Sequence, residues 1–192
     1  MAGWLAGAAV LVLLDVPALR PKAAPVVPDR TGAAASPAAS AQYLLAPGEI
    51  LIPVQGVTAA DLHDSYAQAR SGGRTHHALD ILAPRGTPVL AAVDGTIRKL
   101  FFSSGGGITI YQYDVAEARV YYYAHLERYA DDVAEGQFVR QGTVIGYVGT
   151  TGNAPPGTPH LHFAIEVLPP THEWWKGEPV NPYPILTARA AH

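Results

Sequence analysis

The sequence predicts a mainly β domain, a compact antiparallel sheet or barrel-sandwich of the hybrid type with little helix. After Glu49, short apolar runs follow one another closely and are separated by glycine and proline turn signals. Helical periodicity is confined to residues 59–70, where Thr58 is suited to cap the N-terminus. Strands this short and this closely spaced favour antiparallel pairing over a βαβ arrangement, which needs helices between the strands.

The predicted strands follow from the apolar runs in chain order. They cover residues 76–80, 88–93, 96–102, 108–113, 119–124, 138–139, 144–148 and 160–167. The pair Asp94-Gly95 and the glycine-rich stretch 103–107 are the expected turns between neighbouring strands.

Two of these regions share a pattern that suggests an alternative class of protein. Residues 86–97 and 136–149 each place glycines around a short apolar strand, as in the hybrid folds that carry biotin or lipoate. A carrier needs an exposed lysine at a hairpin tip, but Lys99 lies within a strand-like run and Lys176 lies near the chain end. The carrier interpretation also gives no role to the histidines described below, and we favour it less.

The N-terminal region has the composition of an export or anchor segment. The apolar run 2–14 is shorter than the ~20 residues that span a bilayer and is closer to a signal-peptide core. The positive charge that usually precedes such a core is missing, while Arg20 and Lys22 follow it. We expect residues 1–16 to form a signal-peptide-like or membrane-anchor segment.

The next region predicts a flexible tether. Residues 17–47 are rich in Pro, Ala and Ser, a composition that cannot bury enough apolar surface to offset the entropy of ordering. Its repeated prolines also interrupt any alanine-rich helix. We therefore place the boundary of the folded domain at residues 48–192.

Composition excludes several kinds of function. The chain of 192 residues is 48% hydrophobic and 15% charged, which allows a real core. Its formal net charge is −3 and no Lys/Arg cluster occurs, so nucleic acid is not an expected partner. The absence of cysteine excludes disulfides and thiolate metal sites, and leaves His and Asp as the expected metal ligands.

Two histidine-bearing segments, HHALD and PHLHF, lie in apolar strand-like runs. A lone histidine is more often a surface or satisfied core residue than a ligand, and this chain has eight. Imidazoles and a carboxylate among Leu, Ile and Phe are nevertheless costly to bury without a partner, and a metal ion supplies one. The joint occurrence of the two segments therefore indicates a metal site.

Side-chain alternation along a strand selects the expected ligands. His76 and Asp80 are four residues apart and share a face, whereas His77 should point to the opposite face. His160 and His162 are two apart and also share a face. Two imidazoles and a carboxylate, from His76, Asp80 and His162, are a common zinc ligand set with an open coordination position. His160 would remain beside the ion for acid–base chemistry.

Several ordered motifs resemble one family over residues 51–186. The chain is similar to the lysostaphin/LytM-type zinc metalloendopeptidases, which hydrolyse peptidoglycan peptides and have a duplicated hybrid-type fold. The matching motifs are HHALD at 76–80, GTPVLAAVDG at 86–95, YAHL at 123–126, PHLHF at 159–163 and GEPVNPYPIL at 177–186. Ala78 stands in place of the usual glycine, Ala164 in place of the usual glutamate, and the loop 153–158 is longer and richer in proline.

The resemblance implies the function and the roles of the site residues. It implies Zn²⁺ held by His76, Asp80 and His162, with His125 and His160 as the two catalytic histidines, either of which could be the general base. The implied substrates are peptidoglycan stem peptides or crosslinks. The implied location is the periplasm or cell envelope, with an inner-membrane anchor as one option. The alternative within the same family is a non-catalytic or autoinhibited module that binds the cell wall and activates other hydrolases.

Two further expectations concern the surroundings of the site. Alternation along the strand that leads to His125 puts Tyr123 on its face, either lining the groove or packing on the sheet. Arg74 could meet a substrate carboxylate or cap the turn at Gly72-Gly73. His63, His172 and His192 are expected to lie outside the site.

Overall fold

The computed structural model describes residues 49–70 and 73–188. The segments predicted at 1–16 and 17–47, together with His192, lie outside the described residues, so those expectations stay predictions. Within the described ranges, no helix is long and apolar enough to cross a membrane.

Nine strands and two short helical segments make up the described chain. The strands are β1 (Leu79–Leu82), β2 (Pro88–Leu90), β3 (Gly95–Ser103), β4 (Gly107–Asp114), β5 (Arg119–Tyr129), β6 (Phe138–Val139), β7 (Val144–Val148), β8 (His160–Val167) and β9 (Glu178–Val180). A 3-10 helix covers Ala59–Asp61, and α1 covers Pro182–Thr187.

All nine strands belong to one antiparallel sheet. Its main path runs β1-β8-β5-β4-β3-β6, β9 pairs with β8, and β7 pairs with both β5 and β2. The predicted fold class, mainly β with little helix, is confirmed. Because β1, β8 and β5 are neighbours, segments far apart in the sequence lie side by side in the part of the sheet that carries the candidate site.

The two faces of the sheet have different environments. Leu79 and Ile81 of β1, Phe163 of β8 and Tyr123 of β5 are 0–1% exposed and belong to the hydrophobic core. Strand residues that alternate with these core residues point to the other face of the sheet. On β1, this is the face of Asp80, which lies between Leu79 and Ile81. Period-two alternation therefore separates the core from the face that can hold a site.

The predicted helix at residues 59–70 is wrong beyond its first turn. Thr58 does begin a helical turn. Its backbone N–H (2.8 Å) and its hydroxyl (2.7 Å) both donate hydrogen bonds to the Asp61 carboxylate. Further along, the carbonyls of Tyr66 and Gln68 accept hydrogen bonds from the backbone N–H groups of 77 and 76, both at 2.9 Å. Those carbonyls pair with the segment before β1, so the chain does not continue as a helix.

The helix α1 and strand β9 were not predicted. Asn181 caps α1 by accepting a hydrogen bond from the N–H of Tyr183 at 2.9 Å, and Pro182 occupies the first helical position. Both residues are favoured at these places, so the sequence did contain a helix-start signal. The strand β9 is only three residues long and includes a proline, which hides it from a search for alternation.

Candidate metal centre

Three polar side chains converge on the open face where β1 and β8 pair. His76 Nε2 lies 3.0 Å from Asp80 Oδ1 and 3.0 Å from His162 Nδ1, and the latter two atoms are 3.2 Å apart. In a tetrahedral zinc site with bonds of ~2.0–2.1 Å, ligand atoms are about 3.3–3.4 Å apart. The triangle is close to that size, so these residues could hold a metal ion.

The hydrogen bonding of His76 fits a metal ligand. Its Nδ1 lies 2.9 Å from the carbonyl oxygen of Ser65. A carbonyl only accepts, so Nδ1–H is the donor and Nε2 of the neutral ring carries a lone pair. This lone pair faces Asp80 Oδ1, which also has only lone pairs. Such an arrangement is favourable when a cation or a proton lies between the atoms, and it is how a metal-binding histidine is commonly oriented.

His76 reaches the site by a route that differs from the prediction. Strand β1 begins only at Leu79, and His77 has a φ of 55°, so the two candidate ligands of this segment do not share a regular strand. His76 is instead held by its backbone N–H, which donates to Gln68, and by its ring contact with Ser65. His77 packs against Tyr66, with ring centroids 5.5 Å apart, and stays outside the cluster.

Asp80 is fixed from three sides. It lies directly opposite His162 in the β1–β8 register, and its backbone N–H donates to Ser65 Oγ at 3.0 Å. Its second carboxylate oxygen, Oδ2, accepts a hydrogen bond from Arg70 Nη2 at 2.5 Å. One carboxylate oxygen thus faces the histidines and the other faces an arginine that sequence reasoning missed.

His160 and His125 flank the triangle with matching tautomers. His160 Nδ1 donates to the carbonyl of Thr158 and His125 Nδ1 donates to the carbonyl of Thr151, both at 2.8 Å. In the neutral rings the Nε2 atoms are therefore free of protons. The two rings lie with centroids 5.0 Å apart, and His160 Nε2 is 3.7 Å from Asp80 Oδ1. The sequence-predicted pair is brought together beside the ligand cluster.

A backbone irregularity places His125 in the site. His125 has a φ of 60°, its N–H donates to the carbonyl of Gly106 at 2.8 Å, and the pairing of β5 with β4 shifts register around it. The shift cancels the alternation used to predict the orientation of Tyr123. Tyr122, rather than Tyr123, lines the groove, with its ring 5.9 Å from that of His162.

Tyr123 belongs to the core, so its alternative as a sheet-packing residue is the correct one. It is fully buried; its hydroxyl donates to Gln112 Oε1 at 2.6 Å and accepts from the backbone N–H of Ala92 at 2.9 Å. Gln112 in turn donates to the carbonyl of Val93 at 2.8 Å. This hydrogen-bond network connects β5 and β4 to the segment after β2. Because the Tyr123 hydroxyl is already used as donor and acceptor, it takes no part in the candidate site.

Burial and hydrogen bonding set the charge of the site. Burial would raise the pKa of Asp80, but its close polar contacts with His162, His76 and Arg70 outweigh burial and hold that pKa well below its usual range. Burial lowers the pKa of His125 to about 4, although the bond to Thr151 opposes this, and burial also lowers the pKa of His162. At neutral pH the site therefore presents a carboxylate and uncharged imidazoles at His125 and His162.

A groove of about 700 Å³ opens over this cluster. Its walls include Arg70 and Arg74 on one side and the proline-rich loop 153–158, through Asn153 and Pro155, on another. Arg74 lies in the groove wall, and its backbone carbonyl accepts a hydrogen bond from the N–H of Arg70 at 2.8 Å; whether it meets a substrate carboxylate stays a prediction. The loop that departs from the family pattern is thus part of the groove.

The remaining histidines of the described chain lie outside the cluster. His63 and His172 are exposed, as expected. The residues that sequence reasoning missed are Ser65, Arg70 and Tyr122. Ser65 and Arg70 were assigned to a helix, and alternation along the strand predicted that Tyr122 faces away from His125.

The described site combines an open groove over an antiparallel sheet with a cluster able to bind a metal ion and two flanking imidazoles. The chain belongs to peptidase family M23, whose sequence profile matches residues 74–182. This confirms the resemblance to the lysostaphin/LytM-type peptidases.

Two similar proteins are named as endopeptidases. The L-Ala–D-Glu endopeptidase of Bacillus subtilis (strain 168) is 34% identical over 148 residues, which cover 73% of this chain and 44% of that protein. The DD-carboxypeptidase/endopeptidase Mpg of Neisseria meningitidis serogroup B is 38% identical over 112 residues, covering 58% and 23%. The chain thus spans less than half the length of these relatives.

A solved structure supports the fold. The catalytic domain of the antimicrobial peptidase lysostaphin from Staphylococcus simulans superposes with a TM-score of 0.56 at 30% identity. The match covers 66% of this chain and 92% of that domain. The similarity therefore extends over nearly the whole of a peptidase catalytic domain.

Proposed function

We propose that this protein is a zinc metalloendopeptidase that hydrolyses peptide bonds in peptidoglycan stem peptides or crosslinks, with zinc held by His76, Asp80 and His162. The observation that carries the proposal is the near-equilateral triangle of ligand atoms at the floor of an open groove. The name of a further relative supports the substrate class: a protein of Vibrio cholerae that is 36% identical over 96 residues is named peptidoglycan DD-endopeptidase ShyC.

The proposed zinc ion and the flanking histidines would have different roles in hydrolysis. A zinc ion bound by the triangle would supply Lewis acidity toward a peptide carbonyl. The Nε2 atoms of His125 and His160 are unprotonated when neutral and lie beside the cluster, so either can accept a proton from the attacking water. That proton then passes to the leaving amine as the C–N bond breaks. The imidazole that is not acting as base can donate a hydrogen bond from Nε2 to the developing oxyanion if it has first taken a proton from bulk water.

The location follows from the substrate. We infer that the protein is exported to the periplasm or cell envelope, with residues 1–16 as the signal or membrane anchor and residues 17–47 as the tether of a domain at 48–192. Peptidoglycan lies outside the cytoplasm, and the apolar composition of the N-terminal segment supports this route. Fractionation of cells that express the tagged full chain tests it; recovery in the cytoplasm would refute export.

The deciding experiment is digestion of purified muropeptides by the full chain, analysed by mass spectrometry with and without a chelator. We expect cleavage that the chelator abolishes and zinc restores, and the product masses identify the bond. Absence of cleavage from a preparation with stoichiometric zinc would reject the endopeptidase. It would instead favour the wall-binding module that activates other hydrolases.

Substitutions separate metal binding from proton transfer. His162→Ala should abolish zinc binding, whereas His125→Ala and His160→Ala should each retain stoichiometric zinc and lower kcat by about 10²-fold or more, the usual contribution of a general acid or base. His63→Ala, an exposed histidine outside the cluster, is the matched control. Zinc content by atomic absorption and turnover of the same preparations give both readouts. Full activity of the His125 and His160 variants would contradict the assigned roles.

A further inference from the structure

An aromatic surface continues from the candidate metal centre along the open face of the sheet. Tyr122, whose ring is 5.9 Å from that of His162, lies 4.7 Å from Tyr111, and Tyr111 lies 4.4 Å from Trp174. Tyr111 and Tyr122 are directly opposite in the β4–β5 register and so share one face. We call the set the aromatic platform; its members are Phe101, Tyr111, Tyr122, Trp174 and Trp175.

The outer end of the platform is exposed to solvent. Trp175 is 58% exposed and Phe101 is 41% exposed. Their rings lie 5.2 Å and 5.9 Å from that of Trp174, so the exposed rings join the inner ones without a break. Large aromatic surfaces left in water are unfavourable, and a contiguous exposed patch of this kind marks an interaction site.

Packing of the fold explains the inner end of the platform but not the outer end. Tyr111 and Trp174 pack against a small second core of Tyr113, Val120 and Leu168. Their burial needs no ligand. Phe101 and Trp175 extend beyond that core, and their exposed ring area has no structural role among the described residues.

The polar border of the platform identifies the chemistry of its ligand. Two ion pairs adjoin its members along the chain: Lys99–Glu135 at 2.8 Å, with Lys99 two residues before Phe101, and Lys176–Glu173 at 2.8 Å, which brackets Trp174 and Trp175. Burial raises the pKa of Tyr111 to about 12, so its hydroxyl keeps its proton and can donate a hydrogen bond. Flat ring faces surrounded by donors and acceptors fit a ligand with flat C–H faces and many hydroxyls, which describes a pyranose sugar. A lipid or aliphatic partner would leave the polar border unmatched.

We infer that the aromatic platform is a saccharide subsite that binds the glycan strand of peptidoglycan while the attached stem peptide occupies the groove. The inference rests on the proposed function, because only a substrate that joins sugar to peptide covalently would use both surfaces at once. Continuity carries it: Tyr122 belongs both to the groove wall and to the platform. Recognition of the sugar would favour glycan-linked substrates over free peptides.

The first test measures binding without catalysis. Peptide-free glycan strands are titrated by calorimetry into the metal-free full chain, its double variant Phe101→Ala/Trp175→Ala and the control Phe138→Ala. Phe138 is an exposed phenylalanine (53%) on β6, outside the platform. We expect the double variant to bind at least about tenfold more weakly, from the loss of two stacking contacts, and the control to bind like the wild type. Equal binding by all three proteins, or no binding by the wild type, would overturn the subsite.

The second test separates this inference from the proposed function. The ratio of kcat/KM for a disaccharide-linked stem peptide to that for the free peptide should fall about tenfold in the double variant and stay unchanged in Phe138→Ala. An equal loss on both substrates would mean that the platform contacts peptide, and would overturn the sugar assignment. Suppose that the wild type binds glycan but cleaves neither substrate, and that the double variant no longer binds glycan. The subsite then stands and the endopeptidase proposal fails.

Discussion

At the scale of single residues, the two oxygens of Asp80 have different partners. Oδ1 faces His76 and His162, while Oδ2 accepts a hydrogen bond from Arg70. The hydrogen bond from Arg70 to Oδ2 orients the carboxylate so that only Oδ1 faces the position that a metal ion would occupy. Arg70 is thus a positioning residue for the proposed ligand, acting through Asp80.

Substitution of Arg70 should weaken zinc binding without unfolding the protein. Outer-shell partners of metal ligands typically contribute 10–100-fold to affinity, so Arg70→Gln should raise the zinc Kd by about tenfold or more, and Arg70→Lys by less. Competition with a zinc-binding dye measures this. Arg85→Gln, which breaks the exposed pair with Glu127, is the control. An unchanged Kd in Arg70→Gln would show that the ion pair plays no part in orienting Asp80.

Glu166 carries a stability cost that depends on pH. Burial raises its pKa, although a backbone hydrogen bond from Gly177 opposes the shift. A carboxyl with a raised folded-state pKa contributes its full stability below its unfolded pKa and loses it as the pH rises through the folded value. At neutral pH the Glu166 carboxyl is therefore either charged while buried or protonated above its unfolded-state pKa, and both states cost stability.

Glu166→Gln should accordingly stabilise the protein at neutral pH. The neutral amide avoids the cost of charge burial, so we expect the Tm to rise by a few degrees at about pH 7 and the difference to vanish near about pH 4. Thermal unfolding followed by circular dichroism at both pH values gives the comparison. Glu117→Gln, at an exposed position, should show no such pH-dependent gain. A lower Tm for the Glu166 variant at neutral pH would contradict the argument.

His160 and His162 of the candidate site could be predicted by alternation because both lie in the regular strand β8, whereas His76 joins them although it lies outside β1. His76, Asp80, His160 and His162 were found from two short segments. Arg70 could not be found, because its role depends on the backbone pairing of residues 66–70 with residues 74–77. Nothing in the local sequence reports a contact with a partner ten residues away in an irregular segment.

At the scale of elements, two glycine-rich loops hold His125. The loop before β4 supplies the Gly106 carbonyl to the His125 N–H, and the loop after β7 supplies the Thr151 carbonyl to its ring. The loops touch at Gly152, which has a φ of 75° and where an added Cβ would lie 2.3 Å from the oxygen of Gly105. Only glycine allows both the backbone conformation and the close approach.

Gly152→Ala should therefore displace the two loops whose carbonyls hold His125, and so move this imidazole out of its position in the site. We expect a loss of roughly 1–3 kcal/mol in the free energy of unfolding, from the positive φ and the displaced loops. We also expect reduced turnover with zinc stoichiometry intact. The control is Gly157→Ala in the same connection between β7 and β8, where a Cβ would meet nothing within 4 Å and φ is not positive. Denaturant unfolding and zinc analysis of both variants provide the measurement; equal effects would mean that the loop contact is unimportant.

Strand positions could be predicted, but orientation near irregularities could not. Residues 138–139, 144–148 and 160–167 match β6, β7 and β8. Tyr123 was placed on the wrong face because a register shift and the positive φ of His125 interrupt the alternation. Such a shift arises from contacts with the distant loops around Gly106 and Thr151, which a period-two pattern does not encode.

At the scale of the whole molecule, metal binding should be linked to stability. An ion that binds only the folded state stabilises it in proportion to the logarithm of its concentration over Kd, about 2.7 kcal/mol at a hundredfold excess. Adding zinc to the metal-free full chain should then raise Tm by about 5–10 °C. His162→Ala should lose this shift and His63→Ala should keep it. An equal shift in the His162 variant would place the zinc elsewhere.

The architecture as a whole followed from composition and turn spacing, since short strands without intervening helices have few ways to pair. The exact path of the sheet did not. Strand β8 lies between β1 and β5, although it follows both in sequence, and this order depends on long-range packing of residues such as Phe163 with Tyr123, whose rings are 5.3 Å apart. Local sequence carries no information about which distant strand becomes the neighbour.

The separation of the ligands along the chain gives the site a mechanical consequence. His76 and His162 are 86 residues apart, and the chain has no cysteine. A zinc ion joining them would act as a reversible crosslink that closes a loop comparable to those of long-range disulfides, which contribute ~4–5 kcal/mol in chain-entropy models. Outside the cell, the availability of zinc would then govern how long a domain without covalent bridges resists unfolding and proteolysis.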